Sequence, residues 1–302
     1  MHWIILAACS ALFLGVYDYL KKISVRENAV LPVLFFANLT GALVWLPVIL
    51  CPVEWRSTWL PDSLNPDQIS LSQHGFLFAK SALVSCAWLL SYFAVKFLPL
   101  STAAPIRATS PLWTLLIAIG FLGESPSAQQ SIGIAITLAA FWYFNGGKKD
   151  KTGGANNRRW IWAMVVATLV NACSGIYDKY LLQTVGFTPA TVQAWFSVYL
   201  AVIMFPFYLG WRMQLWKRRG AFEWRWSIPM ISITLLCADF VYFSAMHQPD
   251  AMVAIITPIR RCSVVISFLL GIFILKETSN RRKTISLFGI LAGVIVIFLG
   301  ST

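Results

Sequence analysis

The sequence predicts an all-α polytopic membrane protein, with ten transmembrane helices arranged as two inverted five-helix repeats. Three observations predict it. Of the 302 residues, 58% are hydrophobic and only 12% charged, against about 25% charged in a soluble domain. Apolar stretches of roughly 20 residues, each long enough to cross a bilayer as a helix, recur along the chain. The chain also repeats itself: Pro105-Ile106-Arg107 and Pro258-Ile259-Arg260 each lie inside an apolar stretch, and each proline is followed nineteen residues later by a glutamate, Glu124 or Glu277. Eight of the twenty positions from proline to glutamate are identical, including Ser110/Ser263 and Leu116/Leu269. Shared Leu and Ile are cheap coincidences between apolar segments. A shared arginine is not, because arginine is costly in hydrocarbon.

Taken in order, the expected spans run at about 3–20, 30–50, 75–95, 99–122, 127–145, 160–180, 189–210, 226–247, 251–275 and 284–300. Residues 1–20 have no basic region before them and no small-residue cleavage site after them, so they read as a span and not a signal peptide. The polar insert at 51–73 is expected to carry a short interfacial helix anchored by Trp55 and Trp59. The stretch Gly146–Arg159 divides the chain, giving repeats over 1–146 and 160–302 joined by a basic linker at 147–159. Gly15-Val16-Tyr17-Asp18 recurs as Gly175-Ile176-Tyr177-Asp178, and Cys86-Ala87 as Cys237-Ala238, in the same order as the Pro-Ile-Arg copies. Five spans per copy is an odd number, so the second copy enters the membrane from the opposite side, as in secondary transporters with a midplane site between repeats.

Loop charges set the expected orientation. Of the 24 Lys and Arg residues, 18 fall in the connections after spans 1, 3, 5, 7 and 9, and only Arg56 and Lys179 lie in the others. The loop after Glu124 has no basic residue, whereas its equivalent after Glu277 has Arg281, Arg282 and Lys283. The bias therefore follows the side of the membrane and not the repeated sequence. The positive-inside rule places this face in the cytoplasm and both termini outside, with a bacterial inner membrane expected. The net charge of +12 is thereby a topology signal, and nucleic acid is not an expected partner. The six cysteines have no metal-ligand spacing and read as small hydrophobes. No metal and no cofactor are expected.

Two five-span repeats, with Gly123-Glu124 and Lys276-Glu277 closing their fourth spans, resemble the EamA-type transporters of the drug/metabolite transporter superfamily over nearly the whole chain. The resemblance implies a ten-helix bundle that exports or exchanges small metabolites by alternating access, and leaves the substrate open.

Four basic residues lie within spans: Lys80, Arg107, Arg260 and Arg261. At 1.5 Å per residue, Arg107 lies roughly 12 Å into span 4 and Arg260 roughly 14 Å into span 9, near the middle of a ~30 Å hydrocarbon core. Their prolines weaken the helices locally. These arginines either hold a carboxylate or phosphate in their planar fork or brace the bundle against helix carbonyls and an in-membrane acid. Asp239, well inside span 8, is either a proton-coupling residue or the fixed partner of Arg260 or Arg261. Tyr17, Tyr177, Trp88, Tyr92, Trp113, Tyr242 and Phe243 neighbour the polar repeat positions and are candidates to line a cavity. Asp18 and Asp178 end their spans and read as structural, Asp18 with Lys21 and Lys22 at i+3 and i+4, and Glu124 and Glu277 read as helix-terminus stabilisers.

The expected function is a secondary transporter of a small organic solute, anionic or zwitterionic on the charge count of four cations against Asp239. It would be proton-coupled or an exchanger, acting as a monomer or homodimer. A lipid-carrier flippase, or a subunit of one, is the alternative. A membrane-embedded enzyme is disfavoured, because the spans hold no cluster of base, nucleophile and metal ligands. No phosphate-binding glycine loop supports direct drive by ATP.

Overall fold

A chain this apolar has no water along its length to take up its backbone N–H and C=O groups, and the helix satisfies them internally. The computed structural model describes residues 2–97, 106, 109–145, 158–215, 221–274 and 281–300, and among these there are helices and no strands. The helices are α1 (His2–Val25), α2 (Val30–Leu50), the short α3 (Val53–Trp59), α4 (Leu71–Phe97), α5 (Ser110–Leu122), α6 (Ala128–Asn145) and α7 (Arg158–Lys179). They continue with α8 (Pro189–Arg212), α9 (Ser227–Met246), α10 (Val253–Arg260), α11 (Ser263–Phe273) and α12 (Arg281–Leu299). Among the described residues six segments are long and apolar enough to cross a membrane: α1, α2, Leu71–Ser91 of α4, α7 with the π-helical turn Tyr180–Thr184 that extends it, α8 and α9. Of the other expected spans, the fifth and tenth are the continuous helices α6 and α12, the ninth is broken into α10 and α11, and α5 is the described part of the fourth.

The side chains show what surrounds the bundle. Phe121, Phe288 and Ile295 are 86%, 70% and 58% exposed, while Lys80 is 2% exposed and Asp178 5%. Apolar groups outside and charged groups inside is the distribution a hydrocarbon solvent selects. Trp55 and Trp59 of α3 are exposed as well, where an interfacial helix presents them.

Helices of the two halves pair with one another. α6 packs on α12, α2 on α8, α1 on α9 and α4 on α7, and α1 also meets α11 as α5 meets α7. Named contacts give the directions. Ser10 donates to the carbonyl of Ala238 and Ser24 to Ser227, so α1 and α9 run antiparallel. Phe35 stacks on Tyr208 at 4.5 Å, and Trp45 packs with Ala190 and Ala194, so α2 and α8 do too. α6 and α12 approach through glycines. A Cβ on Gly293 would lie 2.7 Å from the backbone nitrogen of Thr137, and one on Gly133 would lie 2.7 Å from the carbonyl oxygen of Gly293. Only a residue without a side chain lets backbones come so near.

The expected ninth span, 251–275, is not one helix. It breaks at Arg261-Cys262 between α10 and α11. Pro258 has no N–H for the i−4 carbonyl, and the chain tightens after it: Arg261 N–H reaches the carbonyl of Pro258 and Cys262 N–H that of Ile259.

The two ends are tied differently. On the side of the 26–29 and 213–226 connections, Asn28 and Glu223 exchange hydrogen bonds, and Arg225 donates to the carbonyls of Ile23 and Arg26. At the opposite end Arg56, 5% exposed, donates to the carbonyls of Val48 and Pro66 and holds the 51–70 insert in place. Asp67 of that insert accepts the hydroxyls of Thr188 and Thr191 at the start of α8.

Candidate functional site

Four helices bring charge together inside the bundle. Lys80 of α4 forms an ion pair with Asp178 of α7. Arg260, the last residue of α10, donates to Asp239 of α9 at 2.8 Å. Tyr242, one turn after Asp239 on α9, joins the two pairs. Its hydroxyl donates to the second oxygen of Asp178 at 3.2 Å, and its ring lies 3.9 Å from the Arg260 guanidinium. The Lys80 ammonium also sits 4.5 Å from the ring of Phe196 and 5.0 Å from that of Phe243. Aromatic faces stabilise a desolvated cation by about 2 kcal/mol, which helps to hold Lys80 where hydration is lost.

The geometry follows from local structure. The break after Pro258 ends α10 at Arg260, so its guanidinium faces across to α9 and not along a helix surface. Asp178 is placed by the π-helical turn, which carries α7 on to Thr184 and buries Leu181 and Leu182. Asp178 is therefore not at a helix end facing water, as its place at the end of span 6 suggests, but one turn inside the protein. The sequence signal was the Leu181-Leu182 pair that follows it after Lys179-Tyr180. Asp178 also changes the charge count. The described cations Lys80, Arg260 and Arg261 face two acids, Asp178 and Asp239, in place of the single acid expected from the sequence.

The other sequence candidates are placed as follows. Arg261 donates to the Ser110 hydroxyl at 3.2 Å, and Asn171 reaches the same oxygen. Ser110 and its repeat equivalent Ser263, both buried, open α5 and α11. Tyr17 packs against Val33, Ala37, Ile228 and Ile231, away from the ion pairs, with the Lys21 ammonium 5.6 Å from its ring. Tyr177 donates to the carbonyl of Phe76 and stacks on Tyr180. Trp88 packs with Val84, Phe196 and Leu200, beside the Lys80 aromatic cage. The Trp113 indole donates to Thr109 at 3.1 Å. Arg107, Glu277 and the side chain of Tyr92 lie outside the described residues.

Glu124 does what a helix-terminus stabiliser does. Gly123 ends α5 in the left-handed conformation (φ 65°), which only glycine adopts without strain. The chain turns so that Glu124 accepts the N–H groups of Val253 and Ala254 at the start of α10, both at 2.9 Å. It also takes the Lys179 ammonium at 2.7 Å. One buried carboxylate thus satisfies two orphan donors, complements the helix dipole and ties the first half to the second.

Chemically, the central arrangement is two cations, each held by its own acid and linked through one phenol. An anion entering beside Arg260 would compete with Asp239, and protonation of Asp239 would release the guanidinium. No group of three or more His, Cys, Asp or Glu side chains that could hold a metal ion occurs among the described residues.

A sequence model described as the EamA-like transporter family matches residues 1–146 and 158–299. No curated protein matches. A solved crystal structure, titled only as that of a protein, superposes with a TM-score of 0.73 over 98% of this chain and 96% of the other at 15% identity. It shows a shared fold.

Proposed function

Because the chain belongs to the EamA-like transporter family and is an integral multi-pass membrane protein, we propose that it is a secondary transporter of a small organic solute, anionic or zwitterionic. It moves the solute by alternating access between two inverted five-span repeats. The antiparallel pairing of α2 with α8, and of α6 with α12, where Gly133 lies by Ile297 and Ala140 by Gly289, supports that architecture, since these helices hold equivalent places in the two halves. The observation that carries the functional reading is the linked set of two ion pairs inside the bundle, the buried Lys80–Asp178 and the half-buried Arg260–Asp239. Buried charge is expensive inside a membrane, and where it occurs a function is the default reading. Each pair crosses between helices and has a cation that can exchange its acid for a solute carboxylate or phosphate. Arg107, the repeat equivalent of Arg260, would meet the same cavity from the other half. Tyr242 and Trp88, which stand beside the ion pairs, would line it. Asp239 acts as the proton-coupling residue: once protonated it frees Arg260 for the solute.

Thermal-shift screening of purified protein with small carboxylates, phosphates and amino acids tests this. Anions are expected to raise the melting temperature of the parent more at low pH than at high pH. Asp239→Asn is expected to lose that pH dependence and to keep the stabilisation. Arg107→Ala and Arg260→Ala are expected to lose the stabilisation itself. If anions stabilise both arginine variants as well as the parent, the anion site is wrong.

A further inference from the structure

Behind the ion pairs, α2, α8 and α9 enclose a narrow crevice lined by Asn38, Gln193, Ser197, Ser232, Leu200 and Asp239. Its volume of about 20 Å³ exceeds the one probe sphere that a water molecule needs. Amid largely apolar walls that include Phe196 and Leu236 stand the polar side chains of Asn38, Gln193, Ser197 and Ser232. Asn38 is 8% exposed, Gln193 1%, and Ser197 and Ser232 6% each. Two of their atoms have no partner: the Asn38 Nδ2 donor and the Gln193 Oε1 acceptor. The other end of Gln193 is engaged, its Nε2 donating to the carbonyl of Leu236 at 2.7 Å, so the orphan acceptor is held in place. Away from water such orphans are costly. A molecule that accepts from one and donates to the other removes both costs, and water does so.

Asp239 belongs to both places, the crevice and the pair with Arg260. Arg260 faces it from α10 and Asp178 from α7, with Tyr242 on its own helix and Lys80 held by Asp178. α1 presents Ser10, and α2 and α8 present the uncharged Asn38, Gln193 and Ser197. A metal cation in the crevice would be opposed, because Asp239 is already neutralised by Arg260 and a second positive charge would have no counter-ion. A proton is different. It adds to the carboxylate oxygen itself, turning hydronium and aspartate into water and a neutral acid, and the charge left over resides on Arg260, where a solute anion can take it. Resting on the transport reading above, we propose that the α2/α8/α9 crevice holds water beside Asp239 and that this water passes the proton to its carboxylate.

Radiolytic hydroxyl labelling of the protein in lipid nanodiscs tests the hydration, since radicals generated from bound water mark the side chains beside it. Leu200 and Leu181 are equally hidden, 2% and 0% exposed, but only Leu200 lines the crevice. Leu200 is expected to label about tenfold faster than Leu181, and this comparison needs no variant and no substrate. Filling the crevice with Asn38→Leu and Gln193→Leu is expected to abolish the excess. Infrared spectroscopy after a drop in pH reads the proton: a carboxylic-acid band absent from Asp239→Asn should rise in the parent and rise about tenfold more slowly in the filled variant. Equal labelling of the two leucines, an unchanged rise in the filled variant, or stabilisation by sodium chloride beyond that by choline chloride each overturns the proposal. Failure of solutes to bind Arg260 would leave the labelling comparison standing and would count against the transport reading alone.

Discussion

At the scale of single residues, the decisive pair is Lys80 and Asp178. Lys80 was legible as an in-span cation. Its partner was not, because Asp178 sits at an apparent helix end followed by Lys179. The neighbouring charges then part company: Lys179 turns out to Glu124 while Asp178 turns in to Lys80. Asp239 and Arg260 are 21 positions apart, and their pairing was one of two readings available in the sequence. Breaking a buried pair by removing one member leaves the other charge without compensation, at about 3–5 kcal/mol. Asp178→Asn and Lys80→Met are therefore each expected to lower the melting temperature of the detergent-purified protein sharply. The double change Lys80→Met with Asp178→Leu is expected to restore most of it. If the single variants melt with the parent, the pair is not formed.

At the scale of elements, the helices were legible from apolar length, and their interruptions were not. Span 9 looked continuous because Val253–Phe273 is largely apolar and carries no charge apart from Arg260 and Arg261. The backbone cost of Pro258 decides that it is two helices, and the break is what aims Arg260 at α9. Helix packing was equally hidden. Gly289 and Gly293 in α12 have the four-residue spacing that lets membrane helices approach, and the spacing has meaning only once α6 is known to lie opposite. A Cβ on Gly293 would meet the Thr137 hydroxyl and the backbone of α6, whereas one on Gly120 meets nothing within 4 Å. Gly293→Val is expected to destabilise by about 1–3 kcal/mol through overpacking. Gly120→Ala is expected to be neutral or stabilising by up to about 1 kcal/mol. Equal melting temperatures for the two variants would refute the close α6–α12 contact.

At the scale of the whole molecule, the loop charges and the tertiary contacts meet. The connections 26–29 and 213–226, both assigned to the basic face, bind one another through Asn28, Glu223 and Arg225. Glu124, Lys179 and the start of α10, all assigned to the other face, also come together. The positive-inside rule then predicts a sidedness that labelling can read. In a background lacking the six cysteines, Ser72→Cys is expected to react with a membrane-impermeant maleimide in intact cells. Arg158→Cys is expected to react only after permeabilisation. The reverse pattern would invert the whole assignment.

The sequence by itself determined the membrane class and the duplication, and its loop charges predict the side on which each loop lies. Those properties reside in composition, period and loop charge, which are sums over local positions. Only the tertiary structure decided which charges neutralise which, where the ninth span breaks and which glycines touch. Each of these depends on atoms far apart in the chain being brought within a few ångströms. Pro258-Ile259-Arg260 shows the division: its repetition is written in the sequence, but the acid that Arg260 meets is chosen by the packing of α9 against α10.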